Sequence, residues 1–307
     1  MNAQASRPSV SVFPKAYFDQ LCSARMSLLE WIDEAATLDI EAIEMYDGFF
    51  QRRDAAELDQ VLTAMDRAGL RTSMLCFSPD FTHPDAAERV RQLHRQEEAI
   101  ELSLKLGTVY CRTLSGQRHP ETSPEDGVRW AVEGIRASLD YALPRGVTLC
   151  MENHYKDGLW RYPEFAQRSE VYLKIIEQID SPNFGVQYDP SNSILAGEDP
   201  VDFLRKVKHR VVTMQASDRY LKGNARLQDL KQADGTLGYS PDLLHGEIGK
   251  GLNDYDAIFQ ILREINYCGW ISVEDGVEGL EQMGRSVEFL KKKIDQYYPV
   301  CASRPLS

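Results

Sequence analysis

The sequence predicts an α/β fold, a single (β/α)8 TIM barrel, because eight short apolar or β-branched segments alternate with longer amphipathic ones. Glycine follows several of the helix-like segments, as at Gly69, Gly107 and Gly146, where a helix C-terminus favours it. Strands that alternate with helices pair in parallel, and eight such units are the number that closes a barrel. The strand-like segments are residues 10–13, 40–45, 70–77, 108–113, 147–151, 184–188, 211–214 and 270–273.

The competing fold is a doubly wound open sheet, which also alternates strands with helices. The count of eight units favours the barrel, as does the lack of a glycine-rich phosphate loop after the first strand. A length of 307 residues would allow two domains, but α/β barrels commonly reach this size as one domain. We therefore expect one domain over residues 1–307, with the barrel at 10–297 and short flexible termini.

The helical segments are predicted from apolar side chains that recur with a period of 3.6 residues. One such stripe precedes the second strand, and another precedes the sixth: Leu28, Leu29, Ile32, Ala35 and Ala36, then Tyr172, Ile175, Ile176 and Ile179. The six cysteines are scattered without a CxxC pair, and three of them, Cys76, Cys111 and Cys150, lie inside strand-like segments. This pattern favours free, buried thiols in a reducing cytoplasmic setting.

The connection after the seventh strand, residues 216–253, differs from the others because it is long, rich in glycine and without clear periodicity. Long irregular connections inside compact domains are usually binding loops or lids. In a barrel this one would lie over the face where active sites are built. Apolar residues such as Tyr220, Leu221, Leu243 and Leu244 favour a packed lid over a disordered insertion.

Composition excludes several classes of protein. The chain has 35 Lys+Arg against 47 Asp+Glu, a formal net charge of −12, and 43% hydrophobic residues. The acidic balance argues against nucleic acid as the main partner. No apolar segment approaches the roughly 20 residues that span a bilayer, and the first residues lack the apolar core of a secretory signal. We expect a cytoplasmic protein that does not bind a membrane.

Oxygen-bearing side chains follow four consecutive strands directly, at the ends where barrel active sites form. These residues are Glu152, Asp189, Gln215 and Glu274. Three carboxylates placed together repel one another unless a cation neutralises them. An all-oxygen set favours one divalent metal, Mn²⁺ or Mg²⁺ over Zn²⁺. The alternative for each residue taken singly is a helix N-cap or a solvated turn.

Other polar side chains are candidates for contact with a substrate. His154 lies two residues beyond Glu152 on the same side of the strand, so we predict a general acid or base, or a contact to a substrate hydroxyl. A structural role is the alternative for this histidine. The candidate substrate-binding residues are His83, Arg219, His245, Lys250 and Trp160, with solvated surface charge or core packing left open as their alternatives.

Several motifs carry a resemblance that extends over about residues 10–297. They are Met-Glu152-Asn-His154, Tyr-Asp189-Pro-Ser-Asn192, Met-Gln215-Ala-Ser-Asp218, His245-Gly-Glu-Ile-Gly249-Lys-Gly251 and Val-Glu274-Asp. With these motifs the chain resembles the sugar phosphate isomerase/epimerase family, whose xylose isomerase-like barrel is shared with endonuclease IV-type enzymes. In such enzymes Glu, Asp, His and Glu at these strand ends bind one divalent metal. This chain departs from the pattern with Gln215 in place of the histidine.

The resemblance implies an isomerase or epimerase that acts on a small ketose-type sugar through a metal-stabilised ene-diolate. Glu152 and Glu274 would both hold the metal and move the proton. Gln215 also resembles the glutamine of metal-dependent 3-dehydroshikimate dehydratases, so a lyase remains an alternative. A zinc-dependent endonuclease and a sugar-binding barrel without activity are further alternatives. The expected partner is a carbohydrate-like small molecule, and barrels of this kind often form homo-oligomers.

Overall fold

The computed structural model describes residues 7–227, 238–275 and 277–299. The strands, in chain order, are β1 (Ser9–Val12), β2 (Ala42–Tyr46), β3 (Arg71–Cys76), β4 (Tyr110–Thr113), β5 (Thr148–Glu152), β6 (Phe184–Tyr188), β7 (Val211–Ala216), β8 (Asp218–Leu221), β9 (Leu243–Gly246) and β10 (Trp270–Val273). Eight of these form a closed barrel in the order β1, β10, β7, β6, β5, β4, β3, β2. Every pairing in that barrel is parallel, which confirms the predicted (β/α)8 fold.

The helices of the described residues alternate with the barrel strands, as the periodicity predicts. They are α1 (Phe18–Cys22), α2 (Leu28–Ala35), α3 (Ala55–Ala68), α4 (Ala86–Lys105), α5 (Pro124–Ala142), α6 (Ser169–Ile176), α7 (Pro190–Leu195), α8 (Pro200–Val207), α9 (Tyr255–Glu264) and α10 (Leu280–Tyr297). Short 3-10 turns lie at Lys15–Tyr17, Asp47–Phe49, Leu143–Arg145 and Lys208–Arg210.

Local sequence explains where these helices begin and end. Ser27 and Glu30 form a reciprocal capping box at the start of α2, and the Asp54 side chain accepts a hydrogen bond from Glu57 N at the start of α3. Gly69 ends α3 with a φ of 67°, and Gly146 follows α5 and its 3-10 turn with a φ of 71°. Both positions are left-handed, so glycine stops each helix just before the next strand.

The core lies on both faces of the barrel wall. All residues of β2 and β6 are buried, because parallel strands are covered by helices outside and by one another's side chains inside. Cys76, Cys111 and Cys150 are fully buried free thiols, as predicted. No helix of the described residues is long and apolar enough to cross a membrane.

The connection at 216–253 is more ordered than the sequence predicts. β8 and β9 pair in antiparallel fashion, with Arg219 opposite His245, and form a two-stranded ribbon beyond β7. Four-residue strands that pair across a long gap leave no local periodicity to read, which explains the wrong expectation of an irregular loop. Residues 228–237 of this connection lie outside the described residues, so its role as a lid stays a prediction.

The expectation of a single domain over residues 1–307 also stays a prediction. The termini expected to be flexible, residues 1–6 and 300–307, lie outside the described part of the chain. The barrel register is what positions the candidate site. Glu152 pairs with Gln187, Tyr188 with Met214, and Ser272 with Gln215, so the carboxyl ends of β5, β6, β7 and β10 lie at a similar height.

Candidate active site

The barrel brings three of the predicted ligands together. Glu152, Asp189 and Glu274 each offer a carboxylate oxygen, and these atoms all lie within 4.8 Å of one another. Glu152 and Asp189 are each only 1% exposed. The end of β5 supplies Glu152, while the other two residues directly follow β6 and β10. Within the described residues this is the one group of three acidic, histidine or cysteine side chains arranged to hold a metal.

Glu152 is fastened at both of its oxygens. The buried Arg112 guanidinium on β4 donates from Nη1 to Oε2 at 2.7 Å, and Asn192 Nδ2 donates to Oε1 at 2.8 Å. Burial raises the pKa of Glu152 to about 8, although the Arg112 charge opposes the shift. Two hydrogen-bond donors therefore hold the carboxyl group in place, and its pKa lies close to neutral pH.

Asp189 caps a helix and also belongs to the carboxylate group. Its Oδ1 accepts hydrogen bonds from the backbone N–H of Ser191 at 2.8 Å and of Asn192 at 3.2 Å, at the start of α7. Ser217 Oγ donates to the same oxygen at 2.7 Å. The N-cap role considered for this residue is thus observed and coexists with its place in the cluster. Burial raises the pKa of Asp189 well above its usual value, and the Glu274 charge adds to the shift.

Glu274 has an ammonium partner that the sequence did not predict. Lys15, in the turn after β1, donates from Nζ to Glu274 Oε1 at 2.7 Å. Burial alone would raise the pKa of Glu274, but the Lys15 charge and hydrogen bond lower it below its ordinary value. The two glutamates therefore differ: Glu274 is held ionised, while Glu152 has a raised proton affinity.

Gln215 presents an oxygen without a partner. Its Nε2 donates to the buried Glu44 carboxylate on β2 at 2.5 Å, which fixes the orientation of the amide. Its Oε1 is buried and finds no hydrogen-bond donor among the described residues. Asp189, which directly follows β6, is level with Gln215 because Tyr188 pairs with Met214. A buried acceptor left open beside a carboxylate group fits a metal ligand.

The predicted catalytic histidine is buried and lies at this site. His154 is 7% exposed and stacks on Tyr155 with ring centroids 5.3 Å apart. Burial lowers the pKa of His154 well below its usual value, and the charges of Arg112 and Lys15 lower it further. Its Nδ1 has no partner in the described part of the chain. A neutral imidazole here suits a hydrogen bond to a substrate hydroxyl better than donation of a proton from an imidazolium.

Arg219 and His245 face each other in the ribbon. Arg219 is 2% exposed, lies over the rings of Tyr155 and Tyr239, and has no described partner for Nε or Nη1. Burial lowers the pKa of His245 to about 2, helped by the Arg219 charge. Buried guanidinium N–H groups without an acceptor are costly unless a ligand meets them.

Two adjoining cavities open at this end of the barrel. The first, which we call the metal-side cavity, has a volume of 260 Å³ and is lined by Lys15, Arg112, His154 and Glu274 among others. The second, the outer cavity, has a volume of 390 Å³ and lies between the segments that follow β2, β3 and β5. The two cavities share Tyr46 and Asp157 on their common wall.

The predicted substrate-binding residues are divided between these places. His83 and Trp160 line the outer cavity and not the metal-side cavity. Lys250 is not brought to either cavity, since its ammonium pairs with Glu247 at 2.8 Å and its side chain is 67% exposed. It lies on the surface because the turn at 249–251 wraps its backbone, not its side chains, around Asp218.

Sequence reasoning missed the residues that position the carboxylates. Lys15 follows β1 by three residues, so the strand-end rule applied to the other strands would have found it. Arg112 is the one charged residue of the four in β4, an unusual residue in a buried strand. Asn192 belongs to the Tyr-Asp189-Pro-Ser-Asn192 motif, which did not predict its hydrogen bond to Glu152. Glu44 contacts Gln215 across 171 positions of the chain, so no local pattern links the two residues.

Comparison with known protein families shows which family this chain belongs to. Residues 32–293 match the family model described as xylose isomerase-like TIM barrel. The chain belongs to this family. The match covers most of the barrel, from α2 to α10, and therefore includes three strand-end carboxylates and Gln215.

One curated protein similar to this chain is an inosose dehydratase from Clostridium botulinum. It is 25% identical to this chain over 144 residues, which are 46% of this chain and 44% of the relative. The chain thus spans less than half the length of that relative.

Several solved structures share the fold at low sequence identity. A D-tagatose 3-epimerase-like protein matches with a TM-score of 0.72 and 17% identity, over 96% of this chain and 100% of that chain. The probable 3-DHS dehydratase AsbF from Bacillus anthracis matches with a TM-score of 0.68 and 17% identity, over 92% and 98%. The IOLI protein with a bound zinc atom matches with a TM-score of 0.70 and 15% identity, over 95% and 99%. These likenesses establish the fold.

Proposed function

We propose that this protein is a divalent-metal-dependent isomerase or epimerase that acts on a small ketose-type sugar or sugar derivative. The observation that carries the proposal is the open, buried Oε1 of Gln215 on β7, the strand between β6 and β10. Asp189 and Glu274 directly follow those two strands, and their carboxylate oxygens lie with one of Glu152 within 4.8 Å of one another. Glu152, Asp189, Gln215 and Glu274 would hold the metal. An all-oxygen set favours Mn²⁺ or Mg²⁺, although the zinc in the IOLI protein keeps zinc among the metals to test.

A bound divalent ion would polarise the substrate carbonyl and stabilise the negative charge that develops when the neighbouring C–H loses its proton. The proton itself must move to a side chain. Glu152 suits this role because Arg112 and Asn192 fix its orientation while burial raises its pKa to about 8. His154, neutral and open at Nδ1, would hold a substrate hydroxyl.

The difference between the two glutamates favours chemistry with one mobile proton. Lys15 holds Glu274 ionised, so Glu274 is poorly suited to return a proton to the opposite face of the substrate. Return of the proton by Glu152 to the adjacent carbon gives isomerisation, and loss of a β-hydroxyl from the same ene-diolate gives dehydration. This asymmetry, with the inosose dehydratase and the probable 3-DHS dehydratase among the similar proteins, supports a lyase as the second candidate.

Hydrogen exchange tests the proposal and separates these outcomes. The protein loaded with Mn²⁺ is incubated in D₂O with a panel of ketoses and with 3-dehydroshikimate. Deuterium beside the carbonyl without loss of water indicates an isomerase or epimerase, whereas ultraviolet absorbance from an aromatic product indicates the lyase. We expect Glu152→Gln to abolish either activity. The matched control is Glu133→Gln, since Glu133 lies exposed on α5.

Failure of both readouts across the panel, with metal bound, would count against the proposed reaction. Failure to bind any divalent ion, measured by elemental analysis of native and Glu274→Gln proteins, would count against the metal site itself. A zinc endonuclease of the three-metal type has little support, because the described residues provide one such ligand cluster and no histidine lies in it.

A further inference from the structure

No step of the reaction proposed above uses the outer cavity. Its 390 Å³ falls within the range of about 300 to 1,000 Å³ that is typical of small-molecule pockets. It lies against the metal-side cavity, and the common wall is held by hydrogen bonds to Asp157. Ser78 Oγ donates to Asp157 Oδ2 at 2.6 Å, and Tyr46 OH lies 3.3 Å from the same oxygen. Arg112, which holds Glu152, also donates to Ser78 Oγ at 2.8 Å.

Asp47, which lines the outer cavity, has one carboxylate oxygen without a hydrogen-bond donor in the described part of the chain. Asp47, in the turn after β2, is 4% exposed, and its Oδ2 accepts from Arg53 Nη2 at 2.7 Å. Its Oδ1 is buried and receives no hydrogen bond from the described residues. A buried carboxylate oxygen without a partner is unfavourable, so a hydroxyl donor from a ligand would stabilise this group.

The charges of the lining exclude an anionic ligand. Carboxylates outnumber guanidinium groups there: Asp47, Asp80, Glu88 and Asp157 against Arg53 and Arg95. Most of these carboxylates already have partners, as Asp80 does in Gln117 and His119. A neutral ligand with several hydroxyl groups meets this polar, net acidic lining without repulsion.

An apolar surface lies among these polar groups. Trp160 is half-buried, and its ring lies edge-on to His154 with the centroids 6.4 Å apart, so it lies near both cavities. Next to it Leu159 is 71% exposed, although it lines the same cavity. A sugar ring presents a C–H face and a rim of hydroxyls, which is the combination that an aromatic side chain with adjacent carboxylate and guanidinium groups recognises.

We propose that the outer cavity is a second sugar subsite, so that the substrate is a two-ring carbohydrate such as a glycoside. The ketone-bearing ring lies at the carboxylates, and the second, neutral ring lies between Trp160 and Asp47. Tyr46 and Asp157, which line both cavities, lie beside the linkage between the rings. The position of the first ring rests on the proposed function, whereas the second ring is argued from the outer cavity alone.

Equilibrium binding without turnover tests this subsite. Ligand-observed NMR titrations compare D-glucose with cellobiose, maltose, trehalose and sucrose, on the wild-type protein and on Trp160→Ala, Asp47→Ala and Leu143→Ala. We expect at least one disaccharide to bind with a Kd about tenfold lower than that of glucose. Trp160→Ala and Asp47→Ala should remove this preference. Leu143→Ala should keep it, because Leu143 lies in an exposed turn after α5, outside the lining.

Equal binding of glucose and every disaccharide would overturn the proposal, as would an unchanged preference in Trp160→Ala. Tighter binding of inorganic phosphate or glucose 6-phosphate than of any disaccharide would overturn it as well. If Asp47→Ala fails to fold, Trp160→Ala decides. The preference should persist in Glu152→Gln, so a failure of the proposed reaction and a failure of the second subsite give different results.

Discussion

Glu44, which is distant in sequence, fixes the orientation of the Gln215 side chain. Its amide nitrogen donates to Glu44, so the oxygen is the atom left open. Glu44 is 2% exposed, and burial raises its pKa to about 7, although Cys76 donates to it from Sγ at 3.1 Å. Residues that orient a ligand from a second layer commonly affect metal affinity nearly as much as the ligand itself.

Replacement of Gln215 by leucine should weaken Mn²⁺ binding by on the order of tenfold to a hundredfold, because the neutral ligand oxygen is lost. Glu44→Gln should weaken it in the same direction, since the Gln215 amide is then free to turn. Isothermal titration calorimetry with MnCl₂ measures both effects. Gln178→Leu, on an exposed helix end, is the control and should bind as the wild type does. An unchanged affinity in Gln215→Leu would remove this residue from the ligand set.

Asp218 explains the glycine-rich motif that follows the ribbon. Its carboxylate accepts hydrogen bonds from the backbone N–H groups of Arg219, Gly249, Gly251 and Asn253, at 2.9 to 3.1 Å. A Cβ on Gly251 would lie 2.3 Å from Asp218 Oδ1, so the chain can approach the carboxylate only as glycine. The motif arranges backbone N–H groups around an acidic residue, which is a structural role.

Asp218→Ala should lower the free energy of unfolding by about 3 kcal/mol, because four backbone donors lose a charged acceptor. For a chain of 307 residues that corresponds to a fall in Tm of roughly 5 °C. Differential scanning calorimetry measures the shift. Asp140→Ala, exposed on α5, should leave Tm within about 1 °C of the wild-type value. A Tm equal to that control would show that the turn is held by other contacts.

At the scale of elements, the ribbon of β8 and β9 brings charge and aromatic surface to the mouth of the barrel. β8 starts two residues after β7 ends, so the ribbon continues directly from the strand that carries Gln215. Tyr155, from the segment after β5, lies between His154 and Arg219. The ribbon therefore connects the buried guanidinium of Arg219 with the candidate site.

Arg219→Leu should raise KM while leaving Tm unchanged or slightly higher, because the side chain is buried and its Nε and Nη1 find no acceptor among the described residues. Arg112→Leu is the matched comparison and should lower Tm, since Glu152 loses its buried partner at 2.7 Å. Steady-state kinetics on the substrate found by the exchange assay give KM, and thermal unfolding gives Tm. A large fall in Tm for Arg219→Leu would indicate a structural role for this residue.

At the scale of the whole molecule, the barrel concentrates buried acidic groups at one point. The chain carries a net charge of −12, but most of that charge is solvated, whereas Glu152 and Asp189 are buried. Both pKa values are raised by burial, that of Glu152 to about 8. Without metal, the folded state keeps these protons above pH 4.5 while the unfolded state loses them. Stability from these groups therefore declines as pH rises towards 8.

Metal should reverse that decline, because it binds the deprotonated carboxylates and competes with protons. We expect the rise in Tm caused by saturating MnCl₂ to be larger at pH 8 than at pH 6. Differential scanning fluorimetry at both values of pH measures this. Glu152→Gln should remove much of the pH dependence, since its amide does not titrate. An equal rise in Tm at pH 6 and pH 8 in the wild type would contradict the role of Glu152 as a titrating ligand.

Patterns in the sequence are sufficient to predict the barrel and to locate its candidate site. Three local patterns can be recognised in the sequence without a structure. They are the number of strands, their alternation with helices and the residues that end each helix. The strand-end rule then predicted Glu152, Asp189, Gln215 and Glu274 as neighbours, and three of these are found within 4.8 Å of one another. Parallel strands in a barrel end on the same face, which is why this step needed no tertiary information.

Only the tertiary structure shows which side chains form hydrogen bonds to those carboxylates. Lys15 on Glu274 and Arg112 on Glu152 join residues 259 and 40 positions apart. The ribbon, the Glu44 contact and the two cavities depend in the same way on barrel closure and register. Such contacts are set by which strands become neighbours in space, and local periodicity carries no record of that. The pKa values of Glu152 and Glu274 differ because their partners differ. Both residues lie at the end of a barrel strand, so their positions in the sequence did not predict this difference.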